Sequence, residues 1–128
     1  MSFDYHPGGF GGAVFEVRTD TGQDGVTVVT VAGEVDMTVS PQFEQTLLDA
    51  AGAGGAPPVV VDLEAVRFLD SSGVHALVKG YHAANNAGGS LVVRNATGVV
   101  ARVLYITGVA GALGLPVEDE TKEFRKGA

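Results

Sequence analysis

The sequence contains no cysteine, few basic residues and no long hydrophobic run, and each shortage excludes a class of protein. Without cysteine, the chain cannot hold a disulfide framework, a thiolate zinc site, an iron–sulfur cluster or a cysteine nucleophile. Its 8 basic residues stand against 15 acidic ones, and the net charge of −7 argues against direct nucleic-acid binding. The longest apolar stretch, residues 109–117, is broken by glycine and proline and is far shorter than the roughly 20 residues of a membrane span. We therefore predict neither a nucleic-acid partner nor a membrane segment.

The remaining composition is that of one globular domain. The chain has 128 residues, of which 45% are hydrophobic, and both values suit a single domain with its own core. The N-terminus lacks a basic region followed by an apolar one, so we expect no signal peptide and a cytoplasmic protein. Residues 1–12 form a glycine-rich tail that we predict to be flexible, residues 13–117 form the domain, and residues 118–128 form a charged, solvated C-terminal segment.

Hydrophobic periodicity predicts strands that alternate with helices. Residues 13–18 alternate apolar and polar, and residues 26–32 are rich in β-branched side chains, so these two strands should pair as an antiparallel hairpin. Residues 33–36 (Gly-Glu-Val-Asp) are predicted to form a turn after the second strand. Further strands are predicted at residues 59–63, 90–94 and 115–117. Helices are predicted from the N-cap Ser40 to Gly52, over residues 73–86, and from the cap Thr97 to Gly108.

This order of elements, β β α β α β α β, predicts an α/β fold. Strand–helix–strand connections of this length place neighbouring strands parallel and make the crossovers right-handed. The prediction is therefore a single α/β domain with a mostly parallel sheet, an antiparallel N-terminal hairpin and helices packed on the sheet.

Residues 66–74 lead from a buried strand into a helix and form the segment most suggestive of function. In α/β sheets, functional groups gather at the carboxyl ends of the strands. Ser71 and Ser72 should lie where the first amides of the helix lack partners. One serine could act merely as the N-cap, with Asp70 as a companion charge favoured by the helix dipole. Spacing alone leaves both this structural explanation and a functional serine open.

Three segments resemble the STAS-domain anti-sigma factor antagonists, small bacterial proteins that release a sigma factor by capturing its inhibitor. Residues 60–63 followed by residues 68–74, with the run Asp-Ser-Ser-Gly, are similar to the phosphoacceptor segment of that family. Residues 33–36 resemble its Gly-Glu-Leu-Asp turn, and residues 88–93 match a turn and strand in the same place. The resemblance extends over about residues 13–117 and implies a single STAS-like domain.

The resemblance implies a regulatory binding protein that is not an enzyme and has no cofactor. Ser71, directly after the aspartate, would be phosphorylated by the anti-sigma factor itself, a serine kinase that uses ATP, and a separate protein phosphatase would remove the phosphate. The unmodified form would bind the anti-sigma factor, and the phosphorylated form would not. Asp36, Asp70, Ser71, Ser72 and Gly73 would form the partner-binding surface. In it, Ser72 is expected to be a structural hydroxyl, and Gly73 to let a partner backbone or a phosphate approach closely.

A phosphate on Ser71 would add about −1.5 to −2 charges at a helix N-terminus, where free amides favour anions. The helix should therefore remain folded. The docking surface would gain bulk and negative charge, so we expect the switch to act by occluding this surface without a change of fold.

Two other functions remain open from the sequence. A STAS subunit of another assembly, such as a lipid-transport complex, would need no phosphorylated serine. A small serine hydrolase would need a base beside Ser71, and His75 lies one helical turn further on, but the Gly-x-Ser-x-Gly motif is absent. His75 and His82 are seven residues apart on one predicted helix, and His6 lies in the tail, so we predict no metal site.

Overall fold

Strands and helices alternate along the chain after an initial antiparallel meander. The structure is a computed structural model that describes residues 2–7 and 14–116. The strands in this part of the chain are β1 Ser2–Pro7, β2 Val14–Thr21, β3 Thr27–Val35, β4 Pro58–Leu69 and β5 Ser90–Arg94. The helices are α1 Ser40–Ala51, α2 Ser71–Asn86 and α3 Gly98–Ile106. Within these residues, none of the helices has the length and apolar character that a membrane crossing requires.

The strands form one mixed sheet in the order β1-β2-β3-β4-β5. The pairs β1–β2 and β2–β3 are antiparallel, and the pairs β3–β4 and β4–β5 are parallel. Helices α1 and α2 provide the crossovers between the parallel strands. The predicted α/β fold with an antiparallel N-terminal side is therefore confirmed.

The first strand corrects the prediction of a flexible tail for residues 2–7, and the rest of that predicted tail lies outside the described residues. Residues 2–7 pair with β2, from Ser2 opposite Thr19 to Pro7 opposite Val14. An edge strand is held mainly by backbone hydrogen bonds to its one neighbour, so it needs little of the apolar patterning by which strands are identified in a sequence. The predicted C-terminal segment, residues 118–128, lies outside the described residues.

Alternation along the central strands determines which face of the sheet carries the core. Every second residue of β3, from Thr27 to Val35, is buried, and the residues between them are half-buried. The buried face packs against α1 and α2, which supply Phe43, Leu47 and Leu77, all fully buried. The core thus includes one face of the sheet and these two helices, and α3 and the segment after it add Val100, Leu104 and Leu113.

Strands β3 and β4 extend further than the sequence predicts. Residues 33–35, predicted as part of a turn, belong to β3, and the turn begins only at Asp36. The pairing with β4 shifts register between Gly33 and Glu34. Gly33 has a φ of +100°, and a Cβ atom there would collide with the backbone carbonyl of Val14 on β2. The glycine therefore permits a close strand approach and an irregular pairing instead of a turn.

Three smaller predictions also need correction. Ser40 is the first residue of α1 and not its N-cap, a position held by Val39 without a side-chain hydrogen bond. Helix α2 begins at Ser71, two residues before the predicted start. Leu115 and Pro116 do not belong to a strand, and the third residue of that predicted strand lies outside the described part of the chain. The chain before them turns back on itself, and the carbonyl of Leu113 accepts a 2.7 Å hydrogen bond from the amide of Val93 on β5.

Candidate functional site

The carboxyl ends of β3 and β4 meet at one edge of the sheet. Val35 is paired with Leu69, the last residue of β4. The amide of Asp70 donates a 3.2 Å hydrogen bond to the carbonyl of Val35 and so ties the two strand ends together. Asp36 and Asp70 each follow directly after one of these strands. The structure therefore brings two of the predicted site residues, far apart in sequence, to the same edge.

Asp70 is the N-cap of α2. Its backbone is extended, and its Oδ1 atom accepts hydrogen bonds from the amides of Ser72 and Gly73, at 2.9 and 3.2 Å. These amides are two of the four that a helix N-terminus leaves without partners. Of the alternatives that the sequence left open, a serine as the N-cap is excluded, because the serines follow the cap as the first two helical residues.

The two serines have different environments. The hydroxyl of Ser72 is half-buried and donates a 2.6 Å hydrogen bond to Oδ1 of Asp70. Ser71 is exposed at the first position of the helix. The hydrogen bonds of the cap therefore hold the second hydroxyl in place and leave the first one facing solvent.

Asp36 organises the turn after β3 in the same way. Its Oδ1 accepts from the amide of Thr38 at 2.9 Å and from the Thr38 hydroxyl at 2.6 Å. The hydrogen bond from the Thr38 hydroxyl is the main cause that lowers the pKa of Asp36 below its ordinary value, and it outweighs the opposing effect of burial. Sequence reasoning did not identify Thr38. The spacing Asp-x-Thr, which matches the Asp-x-Ser of residues 70–72, was the signal available for it.

Gly73 faces the core and not the solvent. The residue is buried, and a Cβ atom there would collide with Cδ1 of Leu69 and lie 3.0 Å from Cγ1 of Val35. The missing side chain therefore lets the first turn of α2 pack closely onto the ends of β3 and β4. This placement contradicts the expectation that Gly73 lets a partner or a phosphate approach.

Charged groups around this edge are mostly acidic and lie at the surface. Arg67 and Glu34, on neighbouring strands, approach each other to 3.9 Å, and both are exposed enough for solvent to screen the pair. His75 is exposed one helical turn after Ser71. The Oδ1 atom of Asp70 accepts its hydrogen bonds from Ser72 and Gly73. Among the described residues, the hydrogen bonds therefore show no Ser–His–Asp arrangement at Ser71.

Comparisons with known proteins identify similar sequences and similar folds. The chain matches the STAS domain family over residues 18–123. It is 28% identical over 85 residues to the anti-sigma F factor antagonist of Paenibacillus polymyxa, a match that covers 66% of this chain and 73% of the relative. The crystal structure of an anti-sigma factor antagonist from Mycobacterium paratuberculosis superposes with a TM-score of 0.62 at 32% identity, covering 87% of this chain and 94% of that one. The Bacillus cell fate determinant SpoIIAA in its phosphorylated form shares the fold, with a TM-score of 0.61 at 19% identity over 84% of this chain and 96% of that one.

Proposed function

This chain belongs to the STAS domain family, as its sequence segments predicted, and we propose that it is an anti-sigma factor antagonist switched by phosphorylation of Ser71. The unphosphorylated form binds an anti-sigma factor in the cytoplasm and so frees the sigma factor. The phosphorylated form does not bind. The observation that carries the proposal is that Ser71 is exposed at the edge of the sheet where the strands before Asp36 and Asp70 end side by side. The names of the relatives support the same role.

The geometry favours Ser71 over Ser72 as the phosphoacceptor. A kinase must reach the hydroxyl, and the acceptor oxygen must be free to attack a phosphorus atom. Ser71 satisfies both conditions because it is exposed, whereas Ser72 is half-buried and its proton is committed to Asp70. Phosphorylation of Ser72 would break the cap of α2, and phosphorylation of Ser71 leaves the cap intact.

The phosphate acts on the surface and not through the helix amides. The sequence suggested that the first amides of the helix are free to receive a phosphate. The amides of Ser72 and Gly73 already donate to Asp70, so these two are not free. The modification therefore places about −1.5 to −2 charges at the surface, beside Asp70 and near Asp36. A partner surface fitted to a small neutral hydroxyl then meets bulk, repulsion and a desolvation penalty.

The partner itself transfers the phosphate from ATP to Ser71. We assign the kinase activity to the anti-sigma factor, which binds ATP. The Ser71 oxygen forms a bond to the γ-phosphorus, the bond from that phosphorus to the β–γ bridging oxygen breaks, and ADP leaves. The hydroxyl proton passes to a base of the kinase. A protein phosphatase hydrolyses the phosphoserine and returns the chain to its binding form.

Phosphate mapping tests the proposal. The protein is incubated with ATP and, one at a time, the anti-sigma factor kinases of its source organism, and the modified residue is located by mass spectrometry. We expect one phosphate on Ser71. Ser71→Ala should accept none and bind the kinase irrespective of ATP, and Ser71→Asp should bind poorly.

Ser72→Ala is the matched control, since it removes the neighbouring hydroxyl and leaves Ser71 in place. It should still accept a phosphate. The proposal is wrong if no kinase modifies or binds the wild-type chain, or if Ser71→Ala and Ser71→Asp both bind as the wild type does. Binding without any modification would favour a STAS subunit of another assembly.

A further inference from the structure

Two large apolar side chains are exposed beside the proposed phosphoacceptor. Met37 is 72% exposed and Phe68 is 42% exposed. Met37 follows Asp36 in the turn after β3, and Phe68 lies two residues before Asp70 on β4. Other large apolar side chains exposed in the described residues are on β5 and α3, namely Val92, Val99 and Ile106. Contiguous exposed apolar surface with a polar rim marks protein contacts, whereas isolated exposed apolar side chains are ordinary.

The register of the sheet brings the backbone at the two positions to the same end of the sheet. Phe68 pairs with Glu34, and Leu69 pairs with Val35, so Phe68 lies beside the end of β3. Met37 is the second residue after that end. Ser71 begins α2 two residues after the end of β4. Met37, Phe68 and Ser71 therefore all lie within three residues of the tied strand ends.

Neither apolar side chain is required by the core. The neighbouring residues Val35 and Leu69 point inward and are 0% and 1% exposed, so the core at this edge is already closed. Met37 lies in a turn whose hydrogen bonds come from Asp36 and Thr38, and a polar residue would satisfy that turn equally well. Folding thus does not explain the apolar character of Met37, and Phe68 leaves 42% of its surface exposed to solvent.

The charges around this pair indicate the chemistry of the partner. Asp36 and Asp70 lie at the same edge, and Glu34 has only a distant, solvent-screened ion pair with Arg67 at 3.9 Å. An acidic rim around apolar side chains complements a cleft that is apolar at its centre and carries lysine or arginine at its margin.

We infer that Met37 and Phe68 are the apolar anchors with which this protein docks into a basic-rimmed apolar cleft of the anti-sigma factor. The inference rests on the proposed function and adds which side chains supply the affinity that the phosphate removes. Burial of both side chains stabilises the complex, while the acidic residues orient it. Phosphorylation of Ser71 then needs only to repel the partner at the centre of an interface whose affinity comes from its flanks.

The test measures the affinity of single variants for the kinase that modifies Ser71 in the mapping experiment. Met37→Ser and Phe68→Ser should each raise Kd by about tenfold or more. Ile106→Ser is the matched control. Ile106 is also a large exposed apolar residue, at 74%, but it lies at the end of α3 and not in the segments that carry Met37, Phe68 and Ser71. It should change Kd less than about twofold. Phe68→Leu, which keeps an apolar side chain, should retain more affinity than Phe68→Ser.

Salt separates the apolar anchors from the acidic rim. The loss caused by Met37→Ser should persist at high ionic strength, where the contribution of Asp36 and Asp70 is screened. Urea unfolding of each variant is measured as a control, to check that the loss of affinity does not come from an unfolded domain. If Met37→Ser and Phe68→Ser bind as Ile106→Ser does while Ser71→Asp still fails to bind, the anchors are wrong and the switch stands. If the wild-type chain binds no kinase, both proposals fall.

Discussion

The hydroxyl of Ser72 donates a hydrogen bond to Oδ1 of Asp70 over 2.6 Å, and this bond gives the two adjacent serines different roles. Ser72 completes the cap of α2 together with its own amide and that of Gly73. Ser71 is left to the solvent at the first position of the helix. Of the two adjacent hydroxyls, that of Ser72 is therefore structural, and that of Ser71 is the one accessible to modification.

Asp70→Ala should lower the free energy of unfolding by about 1–2 kcal/mol, because it removes an N-cap side chain with three hydrogen bonds. Urea unfolding followed by circular dichroism measures this change. Asp36→Ala is the control, since its bonds to Thr38 hold an exposed turn and no helix end. It should lower the free energy of unfolding by less. Equal losses for the two variants would contradict the assignment of Asp70 as the cap.

Gly73→Ala should destabilise the domain by about 1–3 kcal/mol, the usual effect of forcing an extra methyl group into a packed site. The new Cβ would collide with Leu69, a fully buried residue, and lie 3.0 Å from Cγ1 of Val35. Gly54→Ala is the matched control, because no atom lies within 4 Å of the Cβ that it adds. Its midpoint in urea should remain close to that of the wild type. A neutral Gly73→Ala would mean that the first turn of α2 is not packed onto the strand ends.

Much of the fold could be predicted from the sequence because the central elements bury regular apolar patterns. The apolar run at residues 59–63 identified β4, and start signals and apolar residues at helical spacing identified the flanking helices. The second half of β4 could not be identified, since Glu64 and Arg67 interrupt the pattern where the pairing with β3 shifts register. Residues 2–7 escaped identification because an edge strand is stabilised by its neighbour's backbone.

The candidate site was predicted in part. The run Asp-Ser-Ser-Gly identified the segment, but the distribution of roles within it depends on hydrogen bonds that a sequence does not show. A glycine has no side chain by which burial could be recognised, so the inward orientation of Gly73 was not predictable. The exposure of Met37 and Phe68 was equally hidden, since apolar residues near strand ends are usually part of the core.

Acid should destabilise the protein partly through Asp62. Burial opposes ionisation of this carboxyl, but hydrogen bonds from the Glu64 amide and the Asn95 side chain, together with the charge of Arg94, outweigh it and lower the pKa of Asp62. A carboxyl with a lowered pKa in the folded state stabilises the protein above its unfolded pKa, and this contribution disappears as the pH falls through the folded pKa. The free energy of unfolding should therefore decrease below about pH 4.

Asp62→Asn isolates this contribution. The amide oxygen can still accept from the backbone of Glu64, but the side chain no longer titrates. Urea unfolding between about pH 5 and about pH 2 should give a shallower decrease for the variant than for the wild type. Asp36, whose pKa is also lowered, continues to titrate and leaves a residual slope. Identical slopes for the two proteins would show that Asp62 contributes nothing to acid sensitivity.

Phosphorylation of Ser71 should leave the fold unchanged and alter only its carboxyl edge. The hydroxyl is exposed, and the cap formed by Asp70 does not have to open to accommodate a phosphate. Backbone amide chemical shifts of the two forms should therefore differ near the starts of α2 and of the Asp36 turn and coincide in the core strands. The amide of Val93, which lies on the edge strand β5 opposite Val61 and donates to the carbonyl of Leu113, serves as an internal reference. Changes that reach Val93 would indicate a conformational switch instead of local occlusion.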